Sequence, residues 1–158
     1  MIPEAPFLFS IAALSASLAG LAGLVAGLRR GADVRPIDLF RLRQIVEFSF
    51  ANVLVALGTI PLTFTLGDAA DAVRVATGAA LVYAVVTIVV LVRRMRHWSI
   101  TWTPAWLSSV ALLYVGVGVA GLVALSTGSF AAYEALLVGL LARPMLAFLL
   151  VLASFEST

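Results

Sequence analysis

Five long apolar stretches, separated by short polar connections, dominate the chain. They cover about residues 7–28, 46–66, 74–92, 105–125 and 130–153. Each is close to the roughly 20 residues that a helix needs to cross the hydrocarbon core of a bilayer. The connections leave no room for a soluble domain. The pattern therefore predicts an all-α integral membrane protein, a bundle of five transmembrane helices that forms a single transmembrane domain over residues 1–158.

The last apolar stretch contains an arginine and a proline, Arg143 and Pro144. A central arginine costs about 2.5 to 3.5 kcal/mol of insertion free energy, whereas each Leu, Ile, Phe or Val contributes about −0.3 to −0.6 kcal/mol. Eight leucines, two valines and a phenylalanine lie between Leu136 and Leu152, and together they offset this cost. We therefore expect the stretch to insert. A four-span variant, with this stretch on the outer surface, is the weaker alternative.

The arginines orient the predicted spans. Basic residues crowd the first and third connections, at Arg29, Arg30, Arg35, Arg41, Arg43, Arg93, Arg94 and Arg96. The second connection carries Asp68 and Asp71, and the fourth is uncharged. Connections rich in arginine stay in the cytoplasm. We expect a protein of the cell (inner) membrane with its N-terminus outside and its C-terminus in the cytoplasm.

The composition excludes several kinds of catalytic and metal-binding site. Hydrophobic residues make up 63% of the chain and charged residues 11%, far from the values of soluble domains. The chain has no cysteine and one histidine, His97, so thiol catalysis, a disulfide and a two-histidine metal site are excluded. We therefore expect no enzymatic activity, no cofactor and no metal. Nine of the ten arginines flank apolar runs, which indicates a lipid partner and no nucleic acid.

The glycine-rich segment GVGVAG, residues 116–121, matches the dinucleotide-binding pattern G-x-G-x-x-G. That pattern binds phosphate only between a strand and the start of a helix. Here the glycines lie inside a predicted apolar helix, which no phosphate can reach. Gly118 and Gly121 instead share one side of the helix, and we expect them to pack against a neighbouring helix.

The first span has a stripe of small residues. Ala12, Ala16, Gly20, Gly23 and Gly27 recur at spacings of three and four and so share one helix face. Small residues let helix backbones approach closely in lipid. One interpretation is packing against another span of the same chain. The other is self-association of first spans from several subunits, which includes a pore lined by the stripe.

The second span carries polar residues on two sides. Asn52, Thr59 and Thr63 fall on one side and form a predicted polar seam, whereas Glu47 lies on another. The seam either bonds neighbouring helices together or lines a polar path. Glu47 and Arg143 enter at similar depth in this topology, and an ion pair between them is our main hypothesis. Lipid phosphate and a bound anion are the alternative partners of Arg143.

Two segments are typical of the membrane interface. In RPIDLFRLRQIVE we expect Ile37, Phe40 and Ile45 to face lipid while Arg41 and Arg43 reach phosphates. The other segment combines arginines with tryptophans spaced four apart, and tryptophan favours the headgroup region. Its predicted lipid-interface residues are Arg93, Arg94, Arg96, Trp98, Trp102 and Trp106.

These features favour an oligomeric channel or transporter-like conduit built on the small-residue first helix. The alternative is a non-catalytic accessory or assembly subunit of a larger membrane complex. The expected partners are the lipid bilayer and either further copies of the chain or other membrane proteins. The sequence does not indicate what would be conducted or bound.

Overall fold

A computed structural model of the chain consists of five long helices. It describes residues 4–28, 36–98 and 104–156, with side chains over 4–28, 38–93 and 108–152. The helices are α1 (Ala5–Leu28), α2 (Pro36–Leu66), α3 (Ala69–Trp98), α4 (Pro104–Thr127) and α5 (Phe130–Glu156). All five are long and apolar enough to cross a membrane, over Ala5–Leu28, Asp38–Leu66, Ala69–Arg93, Ser108–Thr127 and Phe130–Leu152. The predicted all-α membrane fold with five spans is therefore confirmed.

Helix α2 begins about ten residues before the predicted second span. Pro36 occupies the first turn, where its fixed φ and missing N–H cost nothing. The charges that follow are paired along the helix. Arg41 Nη1 lies 3.4 Å from Asp38 Oδ1, and Arg43 Nε donates to Glu47 Oε1 at 2.6 Å. The segment predicted to be interfacial is thus the first three turns of a continuous spanning helix.

Short turns with a left-handed glycine follow α2 and α4. Gly67 has φ +72° and Gly128 has φ +65°, the conformation that ends many helices and that favours glycine. Asp68 then caps α3, because its Oδ1 accepts a hydrogen bond from the Ala70 N–H at 3.0 Å. This acidic residue therefore has a local structural role in the turn.

The chain divides into two compact units. Unit 1 comprises Met1–Gly58 and Leu137–Thr158, and unit 2 comprises Thr59–Leu136. A hydrophobic cluster of α1, α2 and α5 forms the core of unit 1, with Ala22, Leu42, Ile45 and Val151 buried in it. The expectation that Ile45 faces lipid is wrong. Leu42 and Ile45 follow the helical repeat of the buried face, whereas Arg43 between them remains exposed. The prediction of a single domain stays a prediction.

Unit 2 is built on α3 and α4, together with the end of α2 and the start of α5. Gly121 lies at a tight contact between helices there. A Cβ at this position would be 2.7 Å from Leu81 Cδ2 and 3.0 Å from Leu136 Cδ1. This agrees with the expected packing role of Gly121. A Cβ at Gly118 would meet nothing within 4 Å, so Gly118, on the neighbouring turn, is not at a tight contact.

Candidate functional site

The buried face of α2 carries an unusual share of polar side chains. Its buried positions recur every three or four residues and include Asp38, Leu42, Ile45, Ser49, Asn52, Ala56 and Thr59. The exposed face carries the charged pair Arg43 and Glu47 near the start of the helix and is otherwise rich in large apolar side chains, at Leu39, Phe50, Leu54 and Phe64. In lipid a polar group must find its partner inside the protein, because no water is available outside. The polar residues of α2 are therefore the candidate functional groups of the chain.

In unit 1 the central group is Asn52, the middle residue of the Asp38–Leu66 span. Its Nδ2 donates to Ser15 Oγ on α1 at 3.1 Å, and both residues are buried. Ser49, also buried, lies three residues before Asn52 on the same face of α2. The three side chains are neutral hydrogen-bonding groups. They can bind a small polar molecule, but they offer no general acid or base.

In unit 2 the corresponding contact joins α2 to α5. The hydroxyl groups of Thr59 and Tyr133 are 2.6 Å apart and buried. Thr63 instead donates to the carbonyl oxygen of Thr59 in its own helix, at 2.9 Å. Of the predicted seam, Asn52 and Thr59 bond to other helices and Thr63 does not.

The sequence did not single out Ser15, Ser49, Tyr133 or Asp38 as candidates. The signal available for Ser49 was its position three residues before Asn52 and ten before Thr59, which places all three near one face of a helix. Ser15 and Tyr133 belong to other helices, and no spacing in the sequence connects them to α2. Asp38 lies in the first turn of α2, and a buried carboxylate there is favoured by the helix dipole and by Arg41.

Arg143 packs against α2 close to the predicted position. Its guanidinium carbon lies 3.6 Å from the centroid of the Phe48 ring, a cation–π contact. Phe48 is the residue next to Glu47. The Glu47 carboxylate accepts the hydrogen bond from Arg43, and its side chain is 47% exposed. The structure thus brings Arg143 to the turn of α2 that carries Glu47. The ion pair between Arg143 and Glu47 stays a prediction.

Apart from Ala12, the small-residue stripe of α1 does not pack against the described residues. Ala16, Gly20, Gly23 and Gly27 are exposed, and we call these four residues the glycine face. A Cβ added at any of its glycines would meet nothing within 4 Å. The helix is buried through another face, formed by Leu8, Ile11, Ala12, Ser15, Ala19 and Ala22. The interpretation that the stripe packs against another span of the same chain is therefore wrong for Ala16, Gly20, Gly23 and Gly27 within the described structure, and it holds only for Ala12.

The predicted interface residues are only partly covered by the structure. Arg93 is exposed near the end of α3. The side chains of Arg94, Arg96, Trp98, Trp102 and Trp106 lie outside the described residues. At the other end of α3, Asp71 Oδ1 accepts a hydrogen bond from Arg74 Nη1 at 2.7 Å, and both side chains are about half exposed. This pair is a local contact of the helix start.

Over the described part of the chain, no group of three or more His, Asp or Glu side chains is arranged to hold a metal ion. No protein-family model matches this chain, and neither a curated protein nor a solved structure does.

Proposed function

We propose that this chain is a subunit of a homo-oligomeric membrane assembly in which α1 contacts α1 of a second copy through the glycine face. The observation that carries the proposal is that this face is exposed and open along Ala16, Gly20, Gly23 and Gly27. Helices in lipid gain little from burying apolar surface, so close backbone contact between small residues drives their association. A face of this kind suits a helix partner better than it suits lipid chains.

The contrast with the other helices supports this proposal. The exposed surface of α3 carries Val82, Val85 and Val86, and that of α4 carries Leu112 and Leu122. Such branched side chains fill the space between lipid chains. The glycine face instead leaves a shallow groove about 16 Å long between Ala16 and Gly27, at 1.5 Å per residue.

As the activity of the assembly we propose a conduit for a small polar solute, with no catalytic step. The polar face of α2 supports this activity, because neutral groups at Ser49, Asn52 and Thr59 are held in the middle of a spanning helix. A second candidate is an accessory subunit, whose glycine face binds a helix of another membrane protein. It is favoured by the short connections between the five spans, which leave no room for a soluble domain between them.

The association is tested by the mass of the purified protein in mild detergent and in lipid nanodiscs. We expect a closed oligomer for the wild type. The double variant Gly20→Leu/Gly23→Leu fills the groove and should weaken association at least about tenfold, a loss of about 1.4 kcal/mol. Gly116→Leu is the matched control, because Gly116 on α4 is exposed and equally open. A monomeric wild type would refute homo-oligomerisation.

The two activities are separated by flux into vesicles that contain the reconstituted protein. A conduit should pass small solutes or ions in the wild type and lose flux in Asn52→Leu and Arg143→Leu. Absence of wild-type flux, together with larger membrane proteins that co-purify with the chain, would identify the accessory role.

A further inference from the structure

Two buried polar side-chain atoms in unit 1 have no hydrogen bond to any residue that the structure describes. They are Ser49 Oγ and Asn52 Oδ1, and both are inaccessible to solvent. The residues are three positions apart on the buried face of α2, so their Cβ atoms are about 5 to 6 Å from each other. A polar atom buried without a partner lowers stability, and this cost makes such atoms rare in native structures. Two of them on adjacent turns indicate a shared partner.

Four other hydroxyl groups on the spans behave differently from Ser49, whereas the buried Thr77 Oγ1 in unit 2 also lacks a hydrogen bond within the described residues. Ser10 and Thr87 donate to the carbonyl oxygen four residues earlier at 2.8 Å, and Ser17 and Thr63 do so at 2.9 Å. This local bond is the usual way to satisfy a serine or threonine inside an apolar helix. Ser49 is more deeply buried than any of these four, yet it does not make the bond. Its hydroxyl group is therefore available to a partner outside its own helix.

We propose that Ser49 and Asn52 bind one internal water molecule at the middle of the membrane-spanning region. The water donates one hydrogen bond to Asn52 Oδ1 and accepts one from the Ser49 hydroxyl. Ser15 Oγ, which accepts from Asn52 Nδ2 at 3.1 Å, extends the same polar cluster to α1. Internal waters typically bind two to four polar groups that the protein itself leaves unsatisfied, and this cluster offers such groups.

The charge of the surroundings favours water over a cation. Ser15, Ser49 and Asn52 are all neutral, so an alkali ion bound there would keep its full charge in a medium of low dielectric constant. In addition, a positive charge lies beside the residue that precedes Ser49, because the Arg143 guanidinium packs on the Phe48 ring. A neutral ligand that both donates and accepts hydrogen bonds fits the site.

Asn52 is the only asparagine in the chain, so selective ¹⁵N-asparagine labelling gives one side-chain amide signal. We expect solid-state NMR of the full chain in lipid bilayers to show magnetisation transfer from water to this amide. Ser49→Ala should abolish the transfer, whereas Ser17→Ala, at an exposed serine bonded to its own helix, should leave it unchanged. Replacing sodium by a large organic cation should not shift the signal.

Three results of this experiment would overturn the proposal. They are no transfer in the wild type, transfer that persists in Ser49→Ala, and a saturable shift of the signal with sodium, which would identify a cation site.

Thermal unfolding in mild detergent gives an independent test, because a bound water and an unpartnered hydroxyl predict changes in Tm of opposite sign. If the Ser49 hydroxyl binds water, Ser49→Ala loses that bond and the Tm falls by about 2 to 4 °C relative to Ser17→Ala. If the hydroxyl has no partner, its removal relieves a buried unsatisfied group and the Tm rises. A rise would refute the water site. The site lies within one protomer, so neither test depends on the oligomeric state.

Discussion

At the scale of single residues, several of the described charges of this chain are paired through short-range contacts. Arg43 binds Glu47 one turn away, Arg74 binds Asp71, and Asp68 caps the helix that follows it. Each of these contacts joins residues that are only two to four positions apart in the sequence. Arg143 is different, because its described contact is the Phe48 ring on another helix. Its position therefore reports on the packing of α5 against α2 within unit 1.

Charge reversal tests whether Glu47 also holds Arg143. Glu47→Arg should destabilise the protein, because it places two arginines on adjoining helices at similar depth. Adding Arg143→Glu should restore the free energy of unfolding, measured by titration with a denaturing detergent. Arg43→Gln is the control, because it removes only the bond between Arg43 and Glu47, which as a pair on one helix contributes about 0.2 to 0.5 kcal/mol. Failure of the double variant to recover would leave Phe48 as the main neighbour of Arg143.

At the scale of elements, the two glycine turns fix where helices end and the next ones begin. Gly67 and Gly128 share the left-handed conformation but differ in their surroundings. A Cβ at Gly67 would be in open space. A Cβ at Gly128 would lie 2.7 Å from Ala70 Cβ and 3.3 Å from the Ala70 carbonyl oxygen. The second turn therefore packs directly against the start of α3.

This difference predicts unequal effects of the same substitution. Gly67→Ala should cost about 1 to 2 kcal/mol of unfolding free energy, the price of the left-handed conformation for a residue with a Cβ. Gly128→Ala should cost more, because the backbone of Ala70 must also move. Denaturation of both variants in the same detergent provides the comparison. Equal losses would show that the contact with Ala70 is easily relieved.

Much of the fold could be predicted because one physical quantity, the length of an apolar run, decides whether a helix can span the bilayer. The boundaries of α2 were harder to predict, since Arg41 and Arg43 resemble interfacial residues until Asp38 and Glu47 are seen to pair with them. The site was predicted in part. Asn52 stood out as the only asparagine of the chain, placed inside an apolar run, whereas Ser15 is inconspicuous in a helix rich in alanine and serine.

For the glycine face, the sequence predicted the composition of the face but not its neighbours. Its spacing in the sequence correctly indicated a helix face made of small residues. Whether that face meets a span of the same chain depends on how α1 is rotated, and the bond between Ser15 and Asn52 influences this rotation. On α1 Ser15 lies about 80° to 140° around the helix axis from each member of the glycine face. The buried face of α1 carries this bond, and the glycine face lies on another side of the helix.

At the scale of the whole molecule, the charge of the connections sets an orientation that is open to a direct test. The first and third connections hold most of the arginines, so they should face the cytoplasm. The chain has no cysteine, so single-cysteine variants give unambiguous labelling. Ser126→Cys should react with a membrane-impermeant maleimide from outside intact cells, and Thr158→Cys should react only after permeabilisation. The reverse pattern would contradict the predicted topology.

Disulfide cross-linking between protomers tests the central claim, association through the glycine face, most directly. Gly20 and Leu21 are consecutive, both exposed and at the same depth, but they point about 100° apart on α1. Oxidation of membranes that contain the single-cysteine variants should yield a covalent dimer with Gly20→Cys and little or none with Leu21→Cys. Equal cross-linking of the two, or none with Gly20→Cys, would contradict the account.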